Sequence, residues 1–187
     1  MTNYNTGADA ANTAVRAYLT KVGEAYLKRT FNTASGKGKA DWEHIRDVIF
    51  KKKCAYCNRS DVTLEIEHLI MFNRKEYGLH HPGNIVPSCK KCNKRSRDGE
   101  GKYFTWKEQL QEICNDSGAG SEYNSRKKKI LEHMKNKKYP NLTNEEKHAI
   151  GVVASKLYND IKGLVDGSIE LYNTLDQAFV KDVNKGI

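Results

Sequence analysis

The chain has 187 residues, 32 Lys and Arg against 23 Asp and Glu, a formal net charge of +9, and 38% hydrophobic residues. That length allows one ordinary domain or two small ones sharing a core. No run approaches the roughly 18 to 20 apolar residues of a bilayer-spanning helix, so a cytoplasmic protein is expected, and the cation excess points to nucleic acid as partner rather than a membrane.

In chain order, residues 1 to 12 are small, polar and without periodicity, and read as a frayed start. Val15, Tyr18, Leu19, Val22 and Tyr26 recur at helical spacing and predict a helix over about residues 12 to 31. The stretch from Thr33 to Lys39 breaks it. Asp41 is placed to cap a second helix whose buried stripe is Trp42, Ile45, Val48 and Ile49, closed by Lys51, Lys52 and Lys53. From Val62 to Glu67 apolar and polar residues alternate, predicting a half-buried strand with Glu65 and Glu67 on one face. A loop with Gly78, Pro82 and Gly83 leads to Asn84-Ile85-Val86-Pro87, a short second strand or turn, and Asn93 reads as the start of a helix.

The rest of the chain reads as helical. Thr105 with Glu108 and Thr143 with Glu146 form two capping boxes. Asn115 to Ser121 is the best linker candidate. Ile130, Leu131 and Met134 predict the core side of a helix that carries Arg126, Lys127, Lys128, Lys129, Lys135, Lys137 and Lys138. Ile150, Val153, Leu157, Ile161 and Leu164 mark a long helix, which Gly167 is expected to separate from a last one bearing Leu171, Leu175 and Phe179. Three regions follow: 1–53 helical, 54–115 a central core, and 122–187 helical, the last able to share one core with the rest.

The central region holds the chemistry. Cys54-Ala55-Tyr56-Cys57 and Cys89-Lys90-Lys91-Cys92 are two Cys-x-x-Cys turns, each presenting two thiolates on one side of a tight loop, so all four can converge on one tetrahedral ion. Zinc is the favoured occupant, with iron able to use the same ligands and disulfides the remaining alternative. Four thiolates and a zinc ion together lower the net charge by two, to about +7. Cys114 is left over, on an apolar helical face beside Leu110 and Ile113 where a free cysteine serves as a small hydrophobe.

Between and just after these pairs stand Glu67-His68, Asn84 and Asn93. The order Cys-x-x-Cys, Glu-His, Asn-Ile-Val-Pro-Ser-Cys-x-x-Cys-Asn, over about residues 54 to 98, resembles the HNH endonuclease family with its ββα-metal finger. The resemblance implies metal-dependent hydrolysis of nucleic-acid phosphodiesters. It aligns His68 with the general base, Glu67 with a carboxylate ligand of the catalytic ion, Asn84 with the residue steadying the base-bearing loop, and Asn93 with a second metal ligand. Two departures stand out: Glu67 occupies a position that is often Asp, and Ile70 follows where Pro often lies close behind the histidine.

The residue types suit that chemistry independently. An imidazole with a pKa near ~6.5 can take a proton from water at neutral pH, and oxygen donors at Glu67 and Asn93 suit Mg²⁺ or Mn²⁺. Glu65, on the same strand face, can share the role of Glu67, and His80 and His81 lie nearby in the loop. Lys90, Lys91, Lys94, Arg95 and Arg97 are the expected phosphate contacts. The expected class is therefore α+β, mostly α: a ββα-metal finger braced by a four-cysteine zinc site and flanked by N- and C-terminal helices. The expected function is a DNA endonuclease, of restriction type or phage-encoded, leaving 5′-phosphate and 3′-hydroxyl ends, and a homodimer if it cuts both strands. The alternatives are a non-catalytic zinc-stabilised nucleic-acid-binding module and an interaction protein braced by zinc.

Overall fold

The computed structural model describes residues 6–181. Of the frayed start expected over residues 1 to 12, residues 1 to 5 lie outside the described residues, and the chain is helical already from Gly7 and leaves the helix after Leu27 rather than near residue 31. Among the described residues helices dominate and one small two-stranded antiparallel sheet is present, as the α+β, mostly α reading requires. The chain divides into two compact units.

One unit contains the described part of Met1–Tyr18, Asn73–Lys75, and the described part of Thr143–Ile187. Its helices are the first part of α1 (Gly7–Leu27) and α6 (Asn144–Asp176). The capping box predicted at Thr143 and Glu146 opens α6. Gly167 does not interrupt this helix. It is exposed, no described neighbour lies within 4 Å of where a side chain would sit, and one solvated glycine costs a helix only about 1 kcal/mol. Ala11, Val15, Ile150 and Ala154 are buried, whereas Leu171, Leu175 and Phe179 are exposed.

The other unit, Leu19–Phe72 with Glu76–Leu142, carries the sheet and the cysteines. α2 (Gly36–His44) begins earlier than expected, with Ser35 at its N-cap. Asp41 is therefore inside the helix, where its carboxylate pairs with Arg29 instead of capping. The helix runs on as a single wide π-turn over Ile45–Ile49. That wider winding rotates the expected stripe, so Ile45 is buried and Val48 is 60% exposed.

β1 (Leu64–His68) pairs with β2 (Ile85–Cys89), with Leu64 opposite Cys89 at one end and His68 opposite Ile85 at the other. β2 is buried along its whole length, under α5 (Tyr123–Asn136) and the turn after Cys54. Specific bonds hold it: Ala55 N–H donates to the Pro87 carbonyl at 2.8 Å, and His133 Nε2 lies 3.0 Å from the Ile85 carbonyl. Phe31, Ile45, Phe50, Tyr56, Leu69, Ile85, Leu110 and Ile130 make the centre of the core.

The helix expected from Asn93 onward is displaced. α3 (Lys90–Asn93) is a four-residue turn that ends there, and the chain then runs irregularly to Phe104 with a bridge between Arg97 and Tyr103. Asp98 accounts for this: its Oδ1 accepts from Glu100 N–H at 3.0 Å and Lys102 N–H at 2.8 Å, closing a turn that competes with helix. α4 (Trp106–Asp116) starts at the predicted Thr105–Glu108 box. The linker candidate overlaps the end of α4 and the start of a short 3₁₀ turn, Gly120–Glu122, before α5.

Candidate active site and metal centre

The two Cys-x-x-Cys turns lie at the Leu64–Cys89 end of the sheet. The Sγ atoms of Cys54, Cys57, Cys89 and Cys92 all lie within 4.8 Å of one another, and Cys57 and Cys89 are 3.9 Å apart. A tetrahedral zinc with bonds of about 2.3 Å has sulfur–sulfur edges of about 3.8 Å, so the four thiols already have the dimensions of the ion's coordination shell. Their ionisation is uneven. Hydrogen bonding from the Cys92 thiol, and then from the backbone N–H groups of Cys57, Cys89 and Tyr56, pulls Cys54 down to about 4, while burial pushes Cys57 up to about 11. A divalent cation is what allows such a cluster to ionise together. The set fits zinc. Cys114 is buried apart from it, 3.7 Å from Arg126 Nη1.

The other end of the sheet carries His68. Its ring stacks on Phe72 at 4.7 Å, and its Nε2 lies 3.0 Å from Nδ1 of His80. Burial, and then the neighbouring His80, draws the His68 imidazole down to about 3, so it is neutral at pH 7 and a weaker base than a solvated imidazole. His80 is fixed in turn by Phe31, 4.8 Å between ring centroids, and by α1: a side chain at Gly23 would come within 2.5 Å of the His80 carbonyl.

Asn84 is fully buried and closes the loop that follows β1. Its Oδ1 accepts from Ile70 N–H at 2.8 Å, and its Nδ2 donates to the carbonyls of Ile70 and Leu79, both at 2.9 Å. It thus acts on the backbone of the loop after His68 and makes no described bond to the His68 ring. Gly78 completes this closure, since a Cβ there would lie 2.0 Å from the Ile70 carbonyl oxygen.

Glu67 is 8% exposed and turned the other way, as strand alternation dictates. Its Oε1 pairs with Arg95 Nη2 and accepts from the Tyr56 hydroxyl at 3.3 Å. Burial pushes its carboxyl up while Arg95 pulls it down. Asn93 Nδ2 donates to Glu65 Oε2 at 3.1 Å, on the exposed side of the same face. These donor types suit a hard divalent cation, but such an ion must compete with Arg95 for Glu67.

Of the expected phosphate contacts, Lys90, Lys91, Lys94 and Arg97 are exposed, and Arg97 lies over the Tyr103 ring at 4.2 Å. Arg95 points inward. Besides Glu67 it donates to the carbonyls of His68 at 3.1 Å, Leu69 at 3.3 Å and Phe104 at 3.1 Å, binding the strand end to the segment before α4. Sequence reasoning missed this role of Arg95, as well as those of Tyr56 and Phe72. No spacing pairs these residues with Glu67 or His68, and only the alternation that puts Glu67 on a buried face hints that a partner is needed.

A comparison with family models meets this geometry at the same residues. Residues 54–99 match the HNH endonuclease family model. The match spans both cysteine pairs, Glu67, His68, Asn84 and Asn93, and is consistent with membership of the HNH family. It covers about a quarter of the chain, so the HNH segment accounts for the sheet and zinc turns but not for α1, α5 or α6. No curated protein and no solved structure matches the chain. An HNH segment suggests nuclease or nucleic-acid-binding function, and the four-cysteine cluster is compatible with zinc.

Proposed function

We propose that the protein is a metal-dependent DNA endonuclease of the HNH type, hydrolysing phosphodiesters to 5′-phosphate and 3′-hydroxyl ends with His68 as general base. The observation that carries this reading is the coincidence, inside the HNH-matched segment, of a zinc-sized thiol cluster at one end of the sheet with a neutral histidine at the other. His68 takes the proton from the attacking water. Asn84 holds the loop that fixes where this imidazole sits. Glu67 and Asn93 would hold Mg²⁺ or Mn²⁺; when bound, the cation stabilises charge on the departing 3′ oxygen. Lys90, Lys91, Lys94 and Arg97 meet phosphates beside the cut, while Arg95 acts through Glu67. One finger presents one base, so cutting both strands takes two copies or two successive events.

The Arg95–Glu67 pair favours a second reading, a zinc-stabilised nucleic-acid-binding module without catalysis, because a carboxylate neutralised by arginine needs no metal. Supercoiled plasmid, incubated with zinc-loaded protein with and without Mg²⁺ or Mn²⁺, separates the two. The nuclease reading expects metal-dependent nicked or linear DNA, reduced by about 10²–10⁴ in rate in His68→Ala with zinc content unchanged. Salt-dependent binding with no cleavage under any metal would establish the second reading.

A further inference from the structure

The turn that precedes the first zinc pair has a backbone its residue types do not explain. Lys51 and Lys52 both adopt positive φ, 53° and 55°. Glycine or asparagine normally fills this left-handed region, because a side chain crowds the backbone there. A turn needed only to bring the chain from Phe50 to Cys54 would be relieved by glycine at either position. Two successive lysines hold it instead, and both are exposed.

α5 adds to this cluster of like charge. Lys129 Nζ lies 5.0 Å from the centroid of the Phe50 ring, which also meets the His133 ring edge-on. The ammonium is therefore held beside the turn that carries Lys51 and Lys53. Burial, and then these two lysines, draw Lys129 below the ordinary lysine range. Among the described residues, no ion pair engages Lys51, Lys52, Lys53 or Lys129. Lys52 acts only at a distance on Asp47, whose carboxylate is already paired with Arg46. A fold that gathers four ammonium groups without a direct ion pair, two of them on strained backbone, is arranged for a polyanion outside the chain.

We propose that Lys51, Lys52, Lys53 and Lys129 form a phosphate-binding surface for duplex nucleic acid, made of residues other than Lys90, Lys91, Lys94 and Arg97. This rests on the nucleic-acid reading of the HNH segment and adds to it a second contact, built jointly from the pre-zinc turn and α5. The ligand is the regular phosphate array of a duplex, which matches a cluster of point charges without requiring base contacts. Arg126 keeps the two parts of the surface together, donating from α5 to the Tyr56 carbonyl in the zinc turn at 2.6 Å.

The test compares zinc-loaded wild-type protein with K51Q/K53Q/K129Q, and with K28Q/K37Q/K147Q as a charge-matched control. Binding of a fluorescent duplex is titrated across salt concentrations without Mg²⁺ or Mn²⁺. Glutamine keeps much of the stem over Phe50, and melting temperature with zinc content checks each fold. The proposal expects the slope of log K against log salt to become shallower by about two to three in the first variant and to stay unchanged in the control. An unchanged slope in the first variant, or an equal reduction in the control, would overturn it. Anionic phosphatidylserine vesicles provide a separate arm: loss of vesicle binding alone, with duplex binding intact, would reassign the surface to lipid and also overturn it. Failure of the wild type to bind duplex at any salt would sink the underlying reading, a result distinct from failure of the lysine surface alone.

Discussion

The two ends of one short sheet solve different problems. At the Cys89 end, four like side chains converge with nothing between them, and their spacing is that of a metal's ligands. Towards the His68 end, the polar side chains that sequence singles out already have protein partners: His68 with His80, Asn84 with the loop backbone, and Glu67 with Arg95 and Tyr56. The thiol end is complete only with an ion, whereas the histidine end is internally satisfied. A motif match treats both ends alike, but their electrostatics do not.

Removing zinc tests that difference most severely. Structural zinc sites bind with apparent free energies of about 10–16 kcal/mol, and that binding is folding energy. Chelation, or Cys54→Ser, is expected to abolish the cooperative unfolding transition of the sheet-containing unit, followed by circular dichroism alongside metal analysis. A zinc-free protein that melts like the wild type would show that the thiol end is as self-sufficient as the other.

Smaller effects are expected at the histidine end. Arg95→Ala leaves Glu67 buried without its guanidinium and removes donors from three carbonyls, so a loss of about 3–5 kcal/mol is expected in urea unfolding. Adding Glu67→Gln should recover part of it, since no uncompensated charge then remains. If the single variant loses less than about 1 kcal/mol, the pair is not a structural brace, and Glu67 is open to other cations.

The smallest effect is a pH dependence centred on α5. His133 is buried, its Nδ1 has no described hydrogen-bond partner, and burial draws it down to about 4. The unfolded chain, with a histidine pKa near ~6.5, binds the proton first, so stability falls as pH drops from about 6.5 towards 4. The loss from this one group approaches about 2–3 kcal/mol at the lower end. Urea unfolding at pH 7 and pH 5, with zinc content checked at both, should give a smaller difference in His133→Asn. An unchanged difference would place the pH sensitivity elsewhere, with His68 and His81 the next candidates because burial draws them down to about 3 and about 4.

Much of this was legible in the residues. The Cys-x-x-Cys spacing, the alternation from Val62 to Glu67, and the Thr105 and Thr143 capping boxes are local patterns, and local backbone geometry carries them directly into structure. Local rules failed where a signal was too weak to act or a neighbour outvoted it. Gly167 did not break α6, Asp41 paired with Arg29 instead of capping α2, and the turn at Asp98 displaced the helix expected after Asn93.

The sequence by itself determined the thiol cluster, the strand bearing Glu67 and His68, and the cationic character, because each depends on residue type and short-range spacing. Only the tertiary structure decided that Arg95 turns inward to Glu67, that His80 meets His68, and that Lys129 joins the Lys51–Lys53 turn. Those pairings join residues from 12 to 78 positions apart. They follow from which faces are buried together, where a charge removed from water must take whatever partner the packing supplies.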